Sequence, residues 1–219
     1  MNYKKYFDSE TKFFRGKLSD GSWRTPFDPY SAAHRTNDYC EGNAWQYLWL
    51  TPQDPEGLID LMGGEETFTQ KLDSLFTISS ELDDNASVDI SGMIGQYAHG
   101  NEPSHHVAYM YSYAGKQYKT APIIRTINNT LYTDQPDGLS GNEDCGQMSA
   151  WYIFSSIGFY PVNPTNGLYV FGSPLFDEVK INLPQEKQFI IKTENNSDSN
   201  IYIQSVKLNG ENYNYSYLE

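Results

Sequence analysis

The chain has 219 residues and a formal net charge of −13, from 28 acidic against 15 basic side chains. That length suffices for one large domain, or one and a half, with a sizeable core. The charge disfavours nucleic acid or an anionic membrane as the main partner, because there is no basic footprint to release counterions. No apolar run approaches the length of a membrane span, and the opening Met1-Asn2-Tyr3-Lys4-Lys5 lacks the apolar stretch of a signal peptide.

In chain order, residues 3–8 read as the end of a helix and 15–29 as a Gly/Pro/aromatic loop. From about 36 to 50 the pattern turns helical, with Trp45, Leu48 and Trp49 at i, i+3, i+4, until Thr51-Pro52 stops it. Asp54-Pro55-Glu56 opens a short helix carrying Leu58, Ile59 and Met62 to Gly63-Gly64. Residues 65–79 form an amphipathic helix on Phe68, Leu72, Leu75 and Phe76, and 80–96 a polar loop over one face. A helix over 102–114 ends at Gly115, and one from Thr120 and Pro122 ends near Tyr132. After a turn cluster at 134–138 comes the most apolar helix, 145–157, closed by Gly158. Beyond Pro161 the texture changes to strands over 168–171, 178–181, 188–191 and 200–208. The reading is of a mainly α chain with helices in antiparallel pairs, followed by antiparallel β structure from near residue 165. The last strand pattern, over 209–218, stops as if cut within that β domain.

Three polar clusters stand in front of helical patterns. They are Cys40-Glu41-Gly42-Asn43-Ala44-Trp45-Gln46-Tyr47, Gly100-Asn101-Glu102-Pro103-Ser104-His105-His106 and Gly141-Asn142-Glu143-Asp144-Cys145-Gly146-Gln147. Burying a carboxylate is costly unless it is paired or hydrogen-bonded, so clusters before core-like helices point to a site. A carboxylate at a helix start is also an ordinary cap, and for Glu41 alone capping competes with catalysis. Asn43, Trp45 and Gln46 around it resemble a sugar-binding rim. His105 and His106 are adjacent, so they do not share a helix face, and the i, i+4 zinc pattern is absent. One histidine is expected to face a pocket and the other to cap or pack. Glu143 and Asp144 side by side raise one another's pKa unless a cation or donor intervenes. Calcium, with oxygen ligands drawn from separate segments, is the natural cation, since no EF-hand loop is present. Cys40 and Cys145 read as free buried thiols, with a single disulfide as the alternative. The Asn-x-Ser/Thr sequences at Asn85, Asn128, Asn195 and Asn214 carry no weight in an Asn-rich chain.

Glu41, Glu102, Glu143 and Asp144 all stand at helix starts. If the helical pairs form a toroid, those starts crowd one end, and paired carboxylates across such a basin are what glycoside hydrolysis requires.

Three motifs carry a resemblance to glycoside hydrolase family 92. They are Gly100-Asn101-Glu102-Pro103-Ser104-His105-His106-Val107-Ala108-Tyr109, the stretch from Asp137-Gly138-Leu139-Ser140 through Gly141-Asn142-Glu143-Asp144-Cys145-Gly146-Gln147-Met148-Ser149-Ala150-Trp151-Tyr152, and Gly158-Phe159-Tyr160-Pro161. The resemblance runs over nearly the whole chain. It implies a calcium-dependent exo-acting α-mannosidase whose fold is an (α/α)6 toroid followed by β structure, with an N-terminal β-sandwich in front. Residues 1–164 would then be part of the toroid and 165–219 a truncated β segment. It also implies an inverting mechanism, with Glu41 as general acid, Asp144 as general base and calcium holding the 2- and 3-hydroxyls of a terminal mannose. Inverting carboxyls stand roughly 6.5–9.5 Å apart. Many relatives have Asp where this chain has Asn142, which leaves the base role to Asp144 alone. Trp45, Asn101, Glu102, His105, Asn142 and Glu143 are the expected sugar contacts. Glu102, Glu143 and Asp89 are the expected calcium ligands.

Family members are much longer, and the resemblance covers only their C-terminal portion. A half toroid would leave apolar helix faces for an N-terminal domain or a complementary chain to cover. The expected partner is a mannose-containing glycan. The expected location is the periplasm or the cell exterior. The alternative is a non-catalytic fragment that keeps carbohydrate or calcium binding.

Overall fold

A computed structural model describes residues 1–34 and 36–219. Capping chemistry sets its helices. Asn43 accepts hydrogen bonds from the backbone N–H groups of Trp45 and Gln46, and the Gln46 side chain accepts from Asn43 N–H at 2.6 Å. This closed capping box starts α1 (Ala44–Tyr47), so the helix predicted from residue 36 begins eight residues later. The apolar spacing is nevertheless real, since Trp45, Leu48 and Trp49 are all buried. Asp54 caps α2 (Pro55–Met62), which ends at Gly63 with φ 95°, and α3 (Glu65–Thr77) follows directly. Further on come α4 (Thr120–Thr130) and α5 (Gln147–Ile157), the latter ended by Gly158 with φ 110°.

The stretch expected as one helix over 102–114 is instead two 3-10 segments, Glu102–Ser104 and Val107–Ala114. The second is the hub of the molecule, packed by α2, α3 and α4. Val107, Ala108, Tyr109, Met110 and Tyr111 are buried in succession, so no single exposed face imposes the 3.6-residue period.

Short strands fill the gaps. β1 (Phe7–Asp8) and β2 (Phe13–Phe14) form an N-terminal hairpin. β3 (Met93–Ile94) and β4 (Tyr97–Ala98) form another, its first strand inside the stretch read as a loop and its second just beyond it. Its turn residue Gly95, at φ 59°, lies so close to the carbonyl of Leu75 that a side chain would collide there. β5 (Phe159–Tyr160) and β6 (Tyr169–Phe171) pair antiparallel across the expected boundary at 164–165. β7 (Glu178–Asn182) pairs with β8 (Gln188–Lys192), and β9 (Val206–Leu208) with β10 (Glu211–Tyr213). β11 (Tyr217–Leu218) joins β6 on the edge opposite β5. The strand expected over 200–208 begins only at Val206. Upstream of it, the carbonyl of Ile201 is taken by the Ser173 hydroxyl rather than by a neighbouring strand.

The core is aromatic and lies in the helical region, around Trp49, Phe68, Tyr97, Tyr109, Tyr111 and Trp151. No residue beyond Ser173 is buried. Arg125 of α4 ties the two regions together, donating to Ser173 Oγ, Pro174 O and Asn196 Oδ1 at 2.6–2.8 Å.

Candidate functional site

Two glycines bring the second and third polar clusters together. A Cβ on Gly100 would strike Ser91 and the Ser140 carbonyl, and one on Gly141 would strike the backbone of Gly100. Only glycine lets the two main chains touch, and the contact sets Asn101-Glu102 against Asn142 and Asp144. The repeated Gly-Asn opening in the sequence is therefore a docking contact between two loops.

Asp144 sits on a left-handed turn. Asp144, Cys145 and Gly146 have φ of 48°, 59° and 93° in succession. Non-glycine residues pay for that conformation, and such strain persists where surrounding structure enforces it. Part of the enforcement is Glu143, whose carboxylate turns away from Asp144. It accepts from Ser149 N–H at 3.2 Å and Ser149 Oγ at 2.9 Å, supplying the cap that Gly146 cannot give α5. The same turn leaves Cys145 exposed. Cys40, before Glu41, is exposed as well, and both thiols are free, so the expectation of buried thiols is corrected.

Glu41 is exposed on the loop that precedes α1. Its N–H donates to Tyr47 Oη at 3.2 Å, and its carbonyl accepts from Asn101 Nδ2 at 3.0 Å. Gly42 makes this fold possible, because a Cβ there would lie 2.8 Å from the Tyr47 ring. A cleft of about 470 Å³ opens between these loops, lined by Glu41, Asp89, Ser91, Asn101, Asn142 and Asp144, with Val88 and Leu139 as its apolar members. Glu102 reaches toward the same carboxylates from below. Burial raises its pKa above the usual carboxylate range, and a hydrogen bond with Asp144 and the charges of Asp144 and Glu41 raise it further.

A second, smaller cleft of about 240 Å³ is bounded by Glu102, His105, His106, Gln147, Trp151 and Tyr160 among others. Both histidines are buried, and both are fixed by backbone carbonyls. His105 Nε2 lies 3.0 Å from His99 O, and His106 Nε2 lies 2.7 Å from Trp49 O. A carbonyl can only accept, so each Nε2 carries a proton. His105 Nδ1 is then free to accept from Gln147 Nε2 at 3.1 Å. Burial lowers both imidazoles to a pKa of about 4. The Trp151 indole N–H donates to His105 O at 2.8 Å, and its ring meets His99 edge-on at 4.3 Å between centroids.

The residues expected from the sequence therefore fall into three places. Glu41, Asp89, Asn101, Asn142 and Asp144 share the large cleft, while Glu102 and His105 line the smaller one. Trp45 and Glu143 line neither. The Trp45 ring is buried against Phe13 at 5.1 Å, with the Lys71 ammonium 4.0 Å from its centroid, which places it in the core rather than on a sugar-binding rim. Sequence reasoning missed Tyr47, Ser91 and Leu139. Their spacing from the carboxylates carries no periodic signal, and only the two glycines of the loop contact could have pointed to Ser91.

The donors around the large cleft are carboxylate, amide and hydroxyl oxygens, the chemistry that suits a hard cation. Among the described residues, no three His, Cys, Asp or Glu side chains form a ready metal cluster. A bound calcium would therefore have to draw on Asn, main-chain or ligand oxygens as well.

Carboxylates, amides and hydroxyls from separate loops thus converge on one open polar cleft. The chain belongs to glycosyl hydrolase family 92: the model of that family's catalytic domain matches residues 1–219. Among solved structures, the chain is similar to the family GH92 α-mannosidase BT3965 from Bacteroides thetaiotaomicron, in complex with mannoimidazole. The two share 44% identity at a TM-score of 0.92, over 99% of this chain and 29% of that one. It is also similar to the inverting mannosidase BT2199 of the same organism, at 37% identity and a TM-score of 0.84, over 99% of this chain and 30% of that one. An uncharacterized secreted glycosidase of Arthroderma benhamiae is 28% identical over 94% of this chain and 26% of its own length. The chain thus spans under a third of the length of these relatives.

Proposed function

We propose that this chain carries the acid and the base of an exo-acting α-mannosidase that works with inversion. The observation that supports the reading is that Glu41 and Asp144, held on separate loops, line one cleft. Glu41 donates its proton to the glycosidic oxygen as the bond from that oxygen to the anomeric carbon breaks. Asp144 takes a proton from the water that attacks the same carbon from the opposite face, so the products are a free mannose and the shortened glycan. Burial and the neighbouring Asp144 raise the pKa of Glu102, and a cation bound beside the pair would offset that repulsion.

Calcium fits the donor chemistry, and Glu102 and Asp89 are the side chains that would hold it. Glu143 is not among them, since Ser149 engages both of its oxygens. When bound, the ion would hold vicinal hydroxyls of the sugar and offset carboxylate charge. We further place residues 1–164 in part of an (α/α)6 toroid and 165–219 in a C-terminal β segment, completed by an N-terminal domain or a complementary chain. The substrate is a mannose-ended glycan. Export to the periplasm or cell exterior agrees with the secreted relative. No helix among the described residues is long and apolar enough to cross a membrane.

The test is the anomer first released from an α-mannoside, followed by proton NMR. β-Mannose supports inversion, whereas α-mannose would contradict it. A second reading, that these 219 residues bind sugar or calcium without cleaving, is favoured by the chain spanning under a third of its relatives. Turnover by the chain alone would exclude it, absence of turnover even after the remaining portion of a relative is added would support it, and turnover only on that addition would show working carboxylates in an incomplete pocket.

A further inference from the structure

Asn101 and Asn43 precede the first turns of two helical segments, and they spend their side chains differently. Asn43 caps α1, its Oδ1 accepting from Trp45 and Gln46. Asn101 occupies the same capping position before Glu102–Ser104, yet its side chain makes no capping hydrogen bond. An Asn at this position normally satisfies the free N–H groups of its own helix. Asn101 Nδ2 donates to the Glu41 carbonyl at 3.0 Å, 60 positions back in the chain. Asn101 itself is 6% exposed, and its partner Glu41 lies on the exposed loop.

We infer that Asn101 is a positioning residue that sets where Glu41 stands relative to Asp144. The tie runs in three links. Gly100 touches Gly141 and so fixes the Asp144 loop to the Asn101 loop, Asn101 fixes the Glu41 carbonyl, and Tyr47 Oη fixes the Glu41 N–H from the other side. The Glu41 backbone is thereby held at both of its polar groups, and the side chain is left free to meet a leaving oxygen. The inference rests on the hydrolase reading above and assigns Asn101 to Glu41 rather than to the sugar.

Asn101→Asp tests it, because the side chain keeps its shape while the donor becomes a carboxylate facing a carbonyl. Asn101→Ala serves as a second variant, and thermal unfolding shows that each is folded. Two substrates separate the roles. α-1,2-Mannobiose needs a proton on its leaving oxygen, whereas 2,4-dinitrophenyl α-mannoside leaves without one. Misplacing the acid is expected to lower kcat on mannobiose about 100-fold and on the dinitrophenyl substrate less than about threefold, with KM within about twofold. Amide exchange over residues 40–43 should rise in both variants. Equal losses on the two substrates, or a raised KM with kcat unchanged, would assign Asn101 to the sugar and overturn the inference. A wild-type chain that cleaves neither substrate, alone or completed with the remaining portion of a relative, would remove the hydrolase reading and the inference with it, an outcome distinct from a defect confined to the variants.

Discussion

The rim of the large cleft and the buried floor of the smaller one are built from the same polar segments but obey opposite rules. At the rim, Glu41 and Asp144 are exposed and carried by turns, Glu41 held through its backbone and Asp144 through a left-handed turn. On the floor, His105 and His106 are buried, neutral, and tied to main-chain carbonyls. Within one motif, Asn101 and Glu102 point up to the chemistry while the two histidines point down into the core. Polarity in a sequence therefore does not by itself mark a reactive group. What separates the two layers is whether the polar atoms are already satisfied by the fold.

That contrast can be broken at either layer. The largest expected effect is at the rim. Asp144→Asn should lower kcat by about 10²–10⁴-fold, the usual contribution of a general base, while unfolding free energy changes by less than about 0.5 kcal/mol. Steady-state kinetics and denaturant titration on the same preparation check both halves. A floor substitution should do the reverse. Trp151→Ala opens a cavity under His99 and orphans the His105 carbonyl, and about 3–5 kcal/mol of stability should be lost. Activity would then fall in step with the unfolded fraction rather than with kcat.

Acid should also distinguish the layers. His105 and His106 titrate near 4 when folded and near 6.5 when unfolded, so the unfolded chain binds more protons between those values. The stability they confer is intact above about pH 6.5 and is lost as pH falls toward 4, by on the order of 2 kcal/mol per imidazole at pH 5. A flat unfolding midpoint between pH 7 and pH 5 would show that the floor histidines are not buried neutral. The smallest expected effect is Glu143→Gln, which weakens the cap on α5 by about 1 kcal/mol and leaves calcium affinity unchanged. Isothermal titration with calcium decides the second point, and a loss of affinity would return Glu143 to the ligand set.

Much of the helical framework was legible because its signals are local. Asp54-Pro55 and Gly63-Gly64 bracket α2, and Gly158 ends α5, where capping chemistry and left-handed glycine need only neighbouring residues. The strands β7 and β8 were legible for the same reason, the first by alternation of Val179 and Ile181 with polar residues, the second by the short apolar run Phe189-Ile190-Ile191. Local signals failed where tertiary contact decides. Most of the hub over Val107–Ala114 is buried, so its apolar residues report no period, and the β3–β4 hairpin docks on the end of α3. At the site, the sequence pointed to the carboxylates because each stands in a polar cluster before a helix. It could not sort Glu143 from Asp144, since the choice depends on one turn with φ near 50° that sends one carboxylate to Ser149 and the other to the cleft. Trp45 was misplaced for a related reason: an aromatic ring four residues after a carboxylate looks the same whether it lines a rim or packs on Phe13.

The account stands or falls on whether the cleft performs chemistry, and mannose release from α-1,2- and α-1,3-mannobiose measures it directly, with calcium and then with EDTA, for wild type and Glu41→Gln. The expected result is release that requires calcium and falls by about 10²-fold or more in Glu41→Gln, with both proteins equally folded. Release that is undiminished in Glu41→Gln would contradict the central claim, because the proton for the leaving oxygen would then come from elsewhere.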